Sequence, residues 1–191
     1  MAKVLAETER LILRDWEDED EIRFYEVMNR EEVMRHLGGL QPFEEWRAAY
    51  SRVRGYSQDF GHTFWVVEDR ANGDVLGFCG IKRVNSPGAG ELTGMHEVGW
   101  RVRSEVWGTG IAKEAAIASL DLAFGRFEAP HVIALTIPAN ERSWGLMKRL
   151  GMKRREDLDF TDQRFGPEVN PQIVYWIDAA DWPAARAQAL S

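Results

Sequence analysis

Hydrophobic and polar residues alternate near the start of the chain and then change to a helical spacing. The alternation over residues 8–15 places Leu11 and Leu13 on one face and predicts a β-strand. An acidic run from Glu17 to Glu21 follows. Two interpretations of this run stay open, because acidic side chains favour the positive end of a helix but could also form a rim that attracts a substrate.

Three helical segments are predicted before the chain returns to strands. The first continues the acidic run through Met28, a short one covers residues 29–37, and the third begins at Pro42. Gly38 and its glycine neighbour end the second helix, and Gly55 is expected to end the third. The apolar stripe of the third helix consists of Trp46, Tyr50 and Val53.

Aromatic and β-branched residues next predict a run of strands. Residues 63–68 form the first, the Asn72-Gly73 pair predicts a hairpin turn, and residues 75–84 form the return strand. Residues 97–102 alternate and predict a further strand. The return strand carries Cys79, the one cysteine of the sequence, which we interpret as a buried packing residue.

The second half of the chain predicts two longer helices around an apolar strand. Residues 110–127 form the first helix, and residues 131–137 read as a strand covered on both faces. Asn140 is the predicted N-cap of the second helix and Gly151 its C′ residue. The remaining predicted elements are strands at 155–160 and 173–177 and a short helix capped by Asp181.

The order of these elements predicts one mixed α/β domain over residues 1–191. A chain of this length can bury a sizeable core without disulfides. With one cysteine, and with four histidines that lack metal-ligand spacing, we expect no disulfide framework and no metal site.

The charge balance narrows the classes of partner. The chain has 31 acidic and 24 basic residues and a formal net charge of −7. Nucleic-acid binders normally present a basic face, and anionic membranes attract basic segments, so neither partner is expected. An acidic protein is compatible with attracting a cation or an amine.

The hydropathy pattern predicts a cytoplasmic protein. No apolar stretch reaches the roughly 18 residues that a membrane span needs. Glu7 and Glu9 interrupt the start of the chain, which therefore does not have the pattern of a signal peptide.

The segment with the strongest chemical signal covers residues 104–112, Ser-Glu-Val-Trp-Gly-Thr-Gly-Ile-Ala. It lies between a predicted strand and a predicted helix. Glycines let the backbone approach a ligand closely, and a helix start offers unpaired N–H groups to an anion. The segment is thus either a phosphate-binding turn or an ordinary strand-to-helix turn. A Walker loop is absent, and Lys113 stands where a Rossmann loop would need its third glycine.

Several short motifs resemble those of the GNAT N-acetyltransferases, in particular the branch of the ribosomal-protein N-terminal acetyltransferases. The motifs are Thr8-Glu-Arg-Leu-Ile-Leu-Arg14, Glu97-Val-Gly-Trp-Arg-Val102, Trp107-Gly-Thr-Gly-Ile-Ala-Lys-Glu-Ala115, Asn140-Glu-Arg-Ser143 and Lys148-Arg-Leu-Gly151-Met152. The chain departs from the wider superfamily at Glu105, where Gln or Arg is usual. An acid there should not point at a phosphate.

The resemblance implies a fold and a co-substrate. The fold is a mixed, mostly antiparallel sheet of about seven strands flanked by helices, with two central strands splayed to hold acetyl-CoA. The implied activity is transfer of the acetyl group from acetyl-CoA to a primary amine, by direct attack in a ternary complex. In this branch the regions 29–54 and 157–171 are implied to select the acceptor.

The resemblance also assigns roles to individual residues. Val102 would hydrogen-bond pantetheine through its backbone, Asn140 would contact the pantetheine arm, and Ser143 would lie near the thioester sulfur. The pyrophosphate would lie on the turn formed by Trp107, Gly108, Thr109, Gly110, Ile111 and Ala112.

Amine acetylation uses a base for the amine and an acid for the leaving thiolate. Ser143 is the candidate acid, unless it is only a first-turn serine that satisfies its own helix. The candidate bases are Glu97, Asp162 and Asp159, with His96 less favoured because it should point away from Glu97. Each of these acids could instead be an ordinary surface carboxylate.

Three questions stay open at this point. The acceptor could be a protein or peptide N-terminus, a polyamine, an amino acid or an antibiotic. The chain could also be a CoA-binding module without catalysis. It could act as a monomer or as a homodimer.

Overall fold

The computed structural model describes residues 2–191, which form eight strands and six α-helices. The strands are β1 (Val4–Glu7), β2 (Leu11–Arg14), β3 (Phe64–Asp69), β4 (Val75–Arg83), β5 (His96–Val102), β6 (His131–Thr136), β7 (Lys153–Arg154) and β8 (Ile173–Asp178). The helices are α1 (Asp20–Met28), α2 (Glu31–Met34), α3 (Phe43–Phe60), α4 (Ile111–Gly125), α5 (Glu141–Arg149) and α6 (Trp182–Leu190).

The strands form one mixed sheet in the order β1-β2-β3-β4-β5-β6-β8-β7. Antiparallel pairs join β1 to β2, β2 to β3, β3 to β4, β6 to β8 and β7 to β8. Strands β5 and β6 are parallel, with Glu97 opposite Ile133. The predicted class, a mixed and mostly antiparallel α/β sheet flanked by helices, is confirmed, with eight strands where about seven were expected.

By backbone contacts the chain divides into two compact units. One contains the residues up to Lys82 together with Gly99–Ser119, and the other contains Arg83–Val98 together with Leu120–Ser191. Strand β5 and helix α4 each contribute residues to both units. No helix within residues 2–191 combines the length and the apolar composition required to cross a lipid bilayer.

The first unit has an aromatic core built from helices α1 to α3 and strands β3 and β4. The Trp16 ring meets Phe24 edge-on at 4.9 Å between ring centroids, and Phe24 stacks on Phe78 at 5.6 Å. Further buried members of this core are Met28, Val33, Met34, Trp46, Tyr50, Val66 and Val75. Offset and edge-on aromatic pairs of this kind add to the burial energy, so they help to fix helix α1 on the sheet.

The second unit has its own, smaller core. Its buried members are Val84, Ala89, Leu92, Ile133 and Val174. Strand β6 is apolar on both faces, as predicted from its nearly continuous hydrophobic sequence, and Val132, Ile133 and Ala134 are fully buried.

The acidic run at the start of α1 is used mainly for ion pairs. Arg14 donates two hydrogen bonds to Asp20, at 2.7 and 2.9 Å, and both residues are buried. The pair raises the pKa of Arg14 above its ordinary value. Asp18 and Glu21 pair with Arg54 and Arg47, respectively. Because these acids already have cationic partners, the structure favours the helix-start interpretation over the substrate-attracting rim.

We expect Asp20→Ala to lower the free energy of unfolding by about 3–5 kcal/mol, because the buried Arg14 guanidinium loses the acid that accepts two of its hydrogen bonds and keeps only its pair with Glu68. Asp18→Ala is the matched control in the same run. Its side chain is 86% exposed in the pair with Arg54, so its loss should cost less than about 1 kcal/mol. Urea denaturation of both variants measures the difference. Equal, small losses would contradict the assigned role of the buried pair.

Candidate cofactor turn and catalytic residues

The turn between β5 and α4 has the backbone conformation that its glycines predict. Gly108 and Gly110 have φ angles of +77° and +88°, which other residues rarely adopt. Among the described residues, nothing lies within 4 Å of the position where a Cβ on Gly108 would stand. Helix α4 begins at Ile111, and its first N–H groups have no partners within the helix. The turn therefore has an open approach and a helix start that suit a phosphate.

Side chains of the turn itself hold it in shape. The Trp107 indole Nε1 donates to the Val102 carbonyl at 2.9 Å, and Thr109 Oγ1 donates to the Val106 carbonyl at 2.7 Å. Arg103 N donates to the Leu76 carbonyl, which anchors the end of β5. Val102 was expected to bind pantetheine through its backbone. Its carbonyl already accepts one bond and has capacity for a second.

A cation that the sequence analysis did not identify also lies against this turn. Arg10 Nη1 donates to the Thr109 carbonyl at 3.0 Å, and Arg10 Nε donates to Glu114 at 2.7 Å. Glu114 also accepts a hydrogen bond of 2.6 Å from the Thr8 hydroxyl. A Cβ on Gly110 would lie 3.3 Å from Arg10 Nη2. The motif that begins at Thr8 thus has two roles. It forms strand β2, and its Arg10 places a positive charge at the turn.

Burial raises the pKa of Glu114, but hydrogen bonds from Thr8 and Arg10 outweigh burial, and the pKa lies below its ordinary value. Glu114 is therefore ionised and fixes both partners on the first turn of α4. Glu114, like Trp107 and Thr109, therefore stabilises the structure of the turn.

A depression of about 550 Å³ lies beside the turn. Its lining combines two acids, two bases and apolar side chains, and consists of Glu9, Arg10, Asp69, Arg70, Ala71, Leu76, Val106, Thr109 and Ile111. This volume is within the range of small-molecule sites.

Glu105, the departure from the superfamily pattern, is paired rather than free. Its carboxylate accepts hydrogen bonds from Arg103 at 3.1 and 3.3 Å. The hydrogen bond from Arg103 lowers the pKa of Glu105 to about 2. Because Arg103 neutralises it, Glu105 does not oppose an anion at the turn as an isolated acid would.

In the second unit, Asn140 caps helix α5 as predicted. Its side-chain oxygen accepts the Ser143 backbone N–H at 3.4 Å. The cap uses the carbonyl oxygen of the Asn140 amide and leaves the amide N–H groups for other partners.

The Ser143 side chain does not satisfy its own helix. Ser143 is half-buried in the first turn of α5, and its Oγ has no hydrogen-bond partner within residues 2–191. A hydroxyl that is held at a helix start without a protein partner is available to a ligand.

The candidate bases differ sharply in their surroundings. Glu97 is buried, with 8% of its surface exposed, and is therefore not a solvent carboxylate. Asp162 is 2% exposed on its side chain and pairs with Arg164 at 2.6 Å. Burial raises the pKa of Asp162, but hydrogen bonds from Arg164 outweigh burial and leave the pKa below its ordinary value.

The remaining candidates have partners or inert surroundings. Asp159 pairs with Arg154 and accepts the Val174 N–H at 3.1 Å. His96 is buried with Nδ1 3.3 Å from an Arg83 nitrogen. A carboxylate already bound by arginine is a weak proton acceptor, which disfavours Asp159 and Asp162 as bases.

Within residues 2–191 we find neither a reactive thiol nor a cluster of metal-binding side chains. Cys79 is fully buried as predicted, and burial raises its pKa to about 12, so it stays a thiol. Within the described residues no group of three His, Cys, Asp or Glu side chains could hold a metal ion.

The sequence is similar to a known protein family and to individual bacterial proteins. The sequence profile described as Acetyltransferase (GNAT) domain matches residues 10–153. YkkB of Bacillus subtilis (strain 168) is 31% identical over 152 residues, which cover 79% of this chain and 86% of YkkB.

Solved structures share the fold. An acetyltransferase from Agrobacterium tumefaciens str. C58 gives a TM-score of 0.73 at 24% identity, covering 90% of this chain and 92% of that one. Mycobacterium smegmatis RimJ in complex with CoA-disulfide gives a TM-score of 0.69 at 18% identity, covering 94% and 88%. The profile match covers well over half of the sequence and includes the glycine turn. The chain therefore belongs to the GNAT acetyltransferase family, whose fold uses acetyl-CoA as co-substrate, and it is an enzyme that transfers an acetyl group to an amine.

Proposed function

We propose that this chain, acting as one domain, acetylates an α-amino group, such as the N-terminus of a protein or peptide, by direct attack on acetyl-CoA. The observation that carries this proposal is that two of the three candidate carboxylates, Asp159 and Asp162, are bound by arginines, while the third, Glu97, is buried. One modest base suits an amine that loses its proton easily.

The pKa of the acceptor amine sets the free energy that its deprotonation costs at neutral pH. A free α-amine has a pKa of about 7.7–8.0 and a lysine side chain about 10.4. At pH 7, forming the neutral amine costs roughly 1 kcal/mol for the first and roughly 4.6 kcal/mol for the second. A lysine acceptor would therefore need a much stronger base.

The residues divide the work as follows in this proposal. Gly108 and Gly110, with the start of α4, bind the pyrophosphate, and Arg10 adds positive charge there. Acetyl-CoA supplies the acetyl group as a thioester. Glu97 accepts the amine proton, directly or through water, and Ser143 donates a proton to the departing sulfur.

The test compares two peptides of otherwise equal sequence with labelled acetyl-CoA. One has a free N-terminus and no lysine, and the other has a blocked N-terminus and one lysine. We expect faster acetylation of the free N-terminus, measured as labelled peptide and released thiol. Faster acetylation of the blocked lysine peptide would overturn the α-amine preference.

Failure with both peptides would favour the alternatives. Reaction with a polyamine or an antibiotic would identify a small-molecule acetyltransferase. Acetyl-CoA binding without reaction on any amine would indicate a binding module. As a check on the base, Glu97→Gln should reduce turnover far more than Asp162→Asn, and the reverse order would reassign the base to Asp162.

A further inference from the structure

Arg101 of β5 is a cation held among aromatic and sulfur atoms. Its guanidinium carbon lies 5.3 Å from the Phe78 ring centroid and 5.8 Å from that of Trp46. Its Nη1 lies 3.6 Å from the Met34 sulfur, a weak acceptor. Trp46 and Met34 come from helices α3 and α2. Both are in the region 29–54, which the family resemblance associates with acceptor selection.

Arg101 also lacks an anionic partner. Within residues 2–191 it forms no ion pair, and its buried Nε has no hydrogen-bond partner. The other arginine of this unit with a strongly buried side chain, Arg14, pairs with two acids. The two arginines therefore differ in their surroundings. Arg101 lies against the Trp46 and Phe78 rings, whereas Arg14 lies against carboxylates.

A buried cation without a counter-ion is unfavourable, and contacts with ring faces offset only part of that cost. Burial lowers the pKa of Arg101 to about 10, which still leaves the guanidinium protonated at neutral pH. The residue as a whole is half-buried, and its Nε is fully buried. An anion that binds there would gain a desolvated partner with N–H donors in a fixed geometry.

We propose that Arg101 binds a carboxylate of the amine acceptor, so that the enzyme selects amines that carry a carboxylate in the same molecule. This inference rests on the proposed acetylation of an α-amine and specifies its substrate class. A carboxylate fits better than a phosphate, because one guanidinium balances its single charge and matches its two oxygens. The carboxylate could be the α-carboxylate of an amino acid or an acidic side chain near a peptide N-terminus.

Two matched pairs of acceptors distinguish these sources. One pair is a free amino acid and its amide, and the other is a peptide with Asp or Asn as its second residue. We expect the wild-type enzyme to prefer the carboxylate member of one pair by about 10- to 100-fold in kcat/KM, the range typical of a hydrogen-bonded charged partner. The pair that shows the preference identifies the source. The amine of a free amino acid is harder to deprotonate than the amine of the corresponding amide. A preference for the free amino acid would therefore not come from the acidity of its amine.

Arg101→Met should abolish the preference by lowering kcat/KM for the carboxylate member alone, and Arg101→Lys should restore part of it. Thermal stabilisation by acetyl-CoA should be unchanged in Arg101→Met. The matched control is Arg47→Gln, which also removes an arginine that lies over an aromatic ring, Phe43, but one that is exposed and paired with Glu21. The control should keep the preference.

Three results would overturn the inference: no preference in the wild-type enzyme, equal losses for both members of each pair in Arg101→Met, or a higher KM for acetyl-CoA alone. Calorimetric titration of the same pairs in the presence of CoA tests binding without turnover. A carboxylate preference in binding that Arg101→Met removes would support the inference even if no amine were acetylated, whereas that absence of turnover would refute the proposed function.

Discussion

Gly110→Val is expected to abolish acetyl-CoA binding and to leave the protein folded. Gly110 has a φ of +88°, and its added side chain would stand over the start of α4, 3.3 Å from Arg10 Nη2 at the Cβ alone. A β-branched residue is strained at this φ, and its methyl groups would occupy the space through which a phosphate reaches the backbone N–H groups. The substitution is therefore expected to disturb the backbone conformation of the turn and to block the approach of a phosphate to the N–H groups of α4.

The measurement is thermal unfolding with and without cofactor. Acetyl-CoA at 100 times its dissociation constant should stabilise the wild-type protein by about 2.7 kcal/mol, and Gly110→Val should show no such stabilisation. Gly61→Val is the matched control. Gly61 has a φ of +72° at the end of α3, with no described atom within 4 Å of a Cβ, so it imposes similar backbone strain away from the turn. A folded Gly110→Val protein that binds acetyl-CoA normally would mean that the phosphate site lies elsewhere.

The pattern of hydrophobic positions predicted most elements but misplaced the end of α3. The helix was expected to end at Gly55 and instead continues to Phe60. A glycine inside a helix costs only about 1 kcal/mol relative to alanine, and Gly55 has open space around it. The helix ends at Gly61, whose positive φ and N–H bond to Ser57 form a C-cap. Both positions are glycines, and only the backbone conformation distinguishes them.

The strand expected at residues 155–160 was wrong. Strand β7 covers Lys153–Arg154, and a 3-10 helix follows at Glu156–Leu158. Of the expected strand, Phe160 forms an isolated bridge to Gln172. Acidic residues are depleted in strands, and this segment has three. The pairing of Arg155 with Asp157 suits a tight turn. The short first strand, β1, was not predicted, since four residues give too little alternation.

The candidate cofactor turn was predictable because its chemistry is local. Glycine spacing, a strand before it and a helix after it all lie within residues 104–112. The contacts made by Arg10 were not predictable, because Glu114 is 104 positions away in the sequence. Asp162 was expected to be either a base or a surface carboxylate, and its burial was not predictable although its partner Arg164 is two positions away in the sequence. Periodicity indicates which residues are buried but not which charges meet.

Ser143→Ala is expected to lower kcat by about 10²- to 10⁴-fold, the usual contribution of a positioned proton donor, with little change in the KM for acetyl-CoA. Its Oγ has no partner within residues 2–191, so the substitution breaks no hydrogen bond of the fold. Alanine also favours helix, and the melting temperature should therefore not fall. A large kinetic effect without a stability effect would be specific to a role in the reaction.

Ser57→Ala in α3 is the control for removing a helix hydroxyl, since within residues 2–191 the Ser57 Oγ makes only a long 3.4 Å contact to Asp15. It should leave both kcat and KM unchanged. Steady-state kinetics at saturating amine separate the possibilities for Ser143. A rise confined to the KM for acetyl-CoA would identify Ser143 as a binding residue, because such a change reports ground-state binding and not the proton transfer. The proton for the departing sulfur would then come from solvent or from another group. A fall in kcat with an unchanged KM is the result that the free, half-buried hydroxyl at the start of α5 predicts.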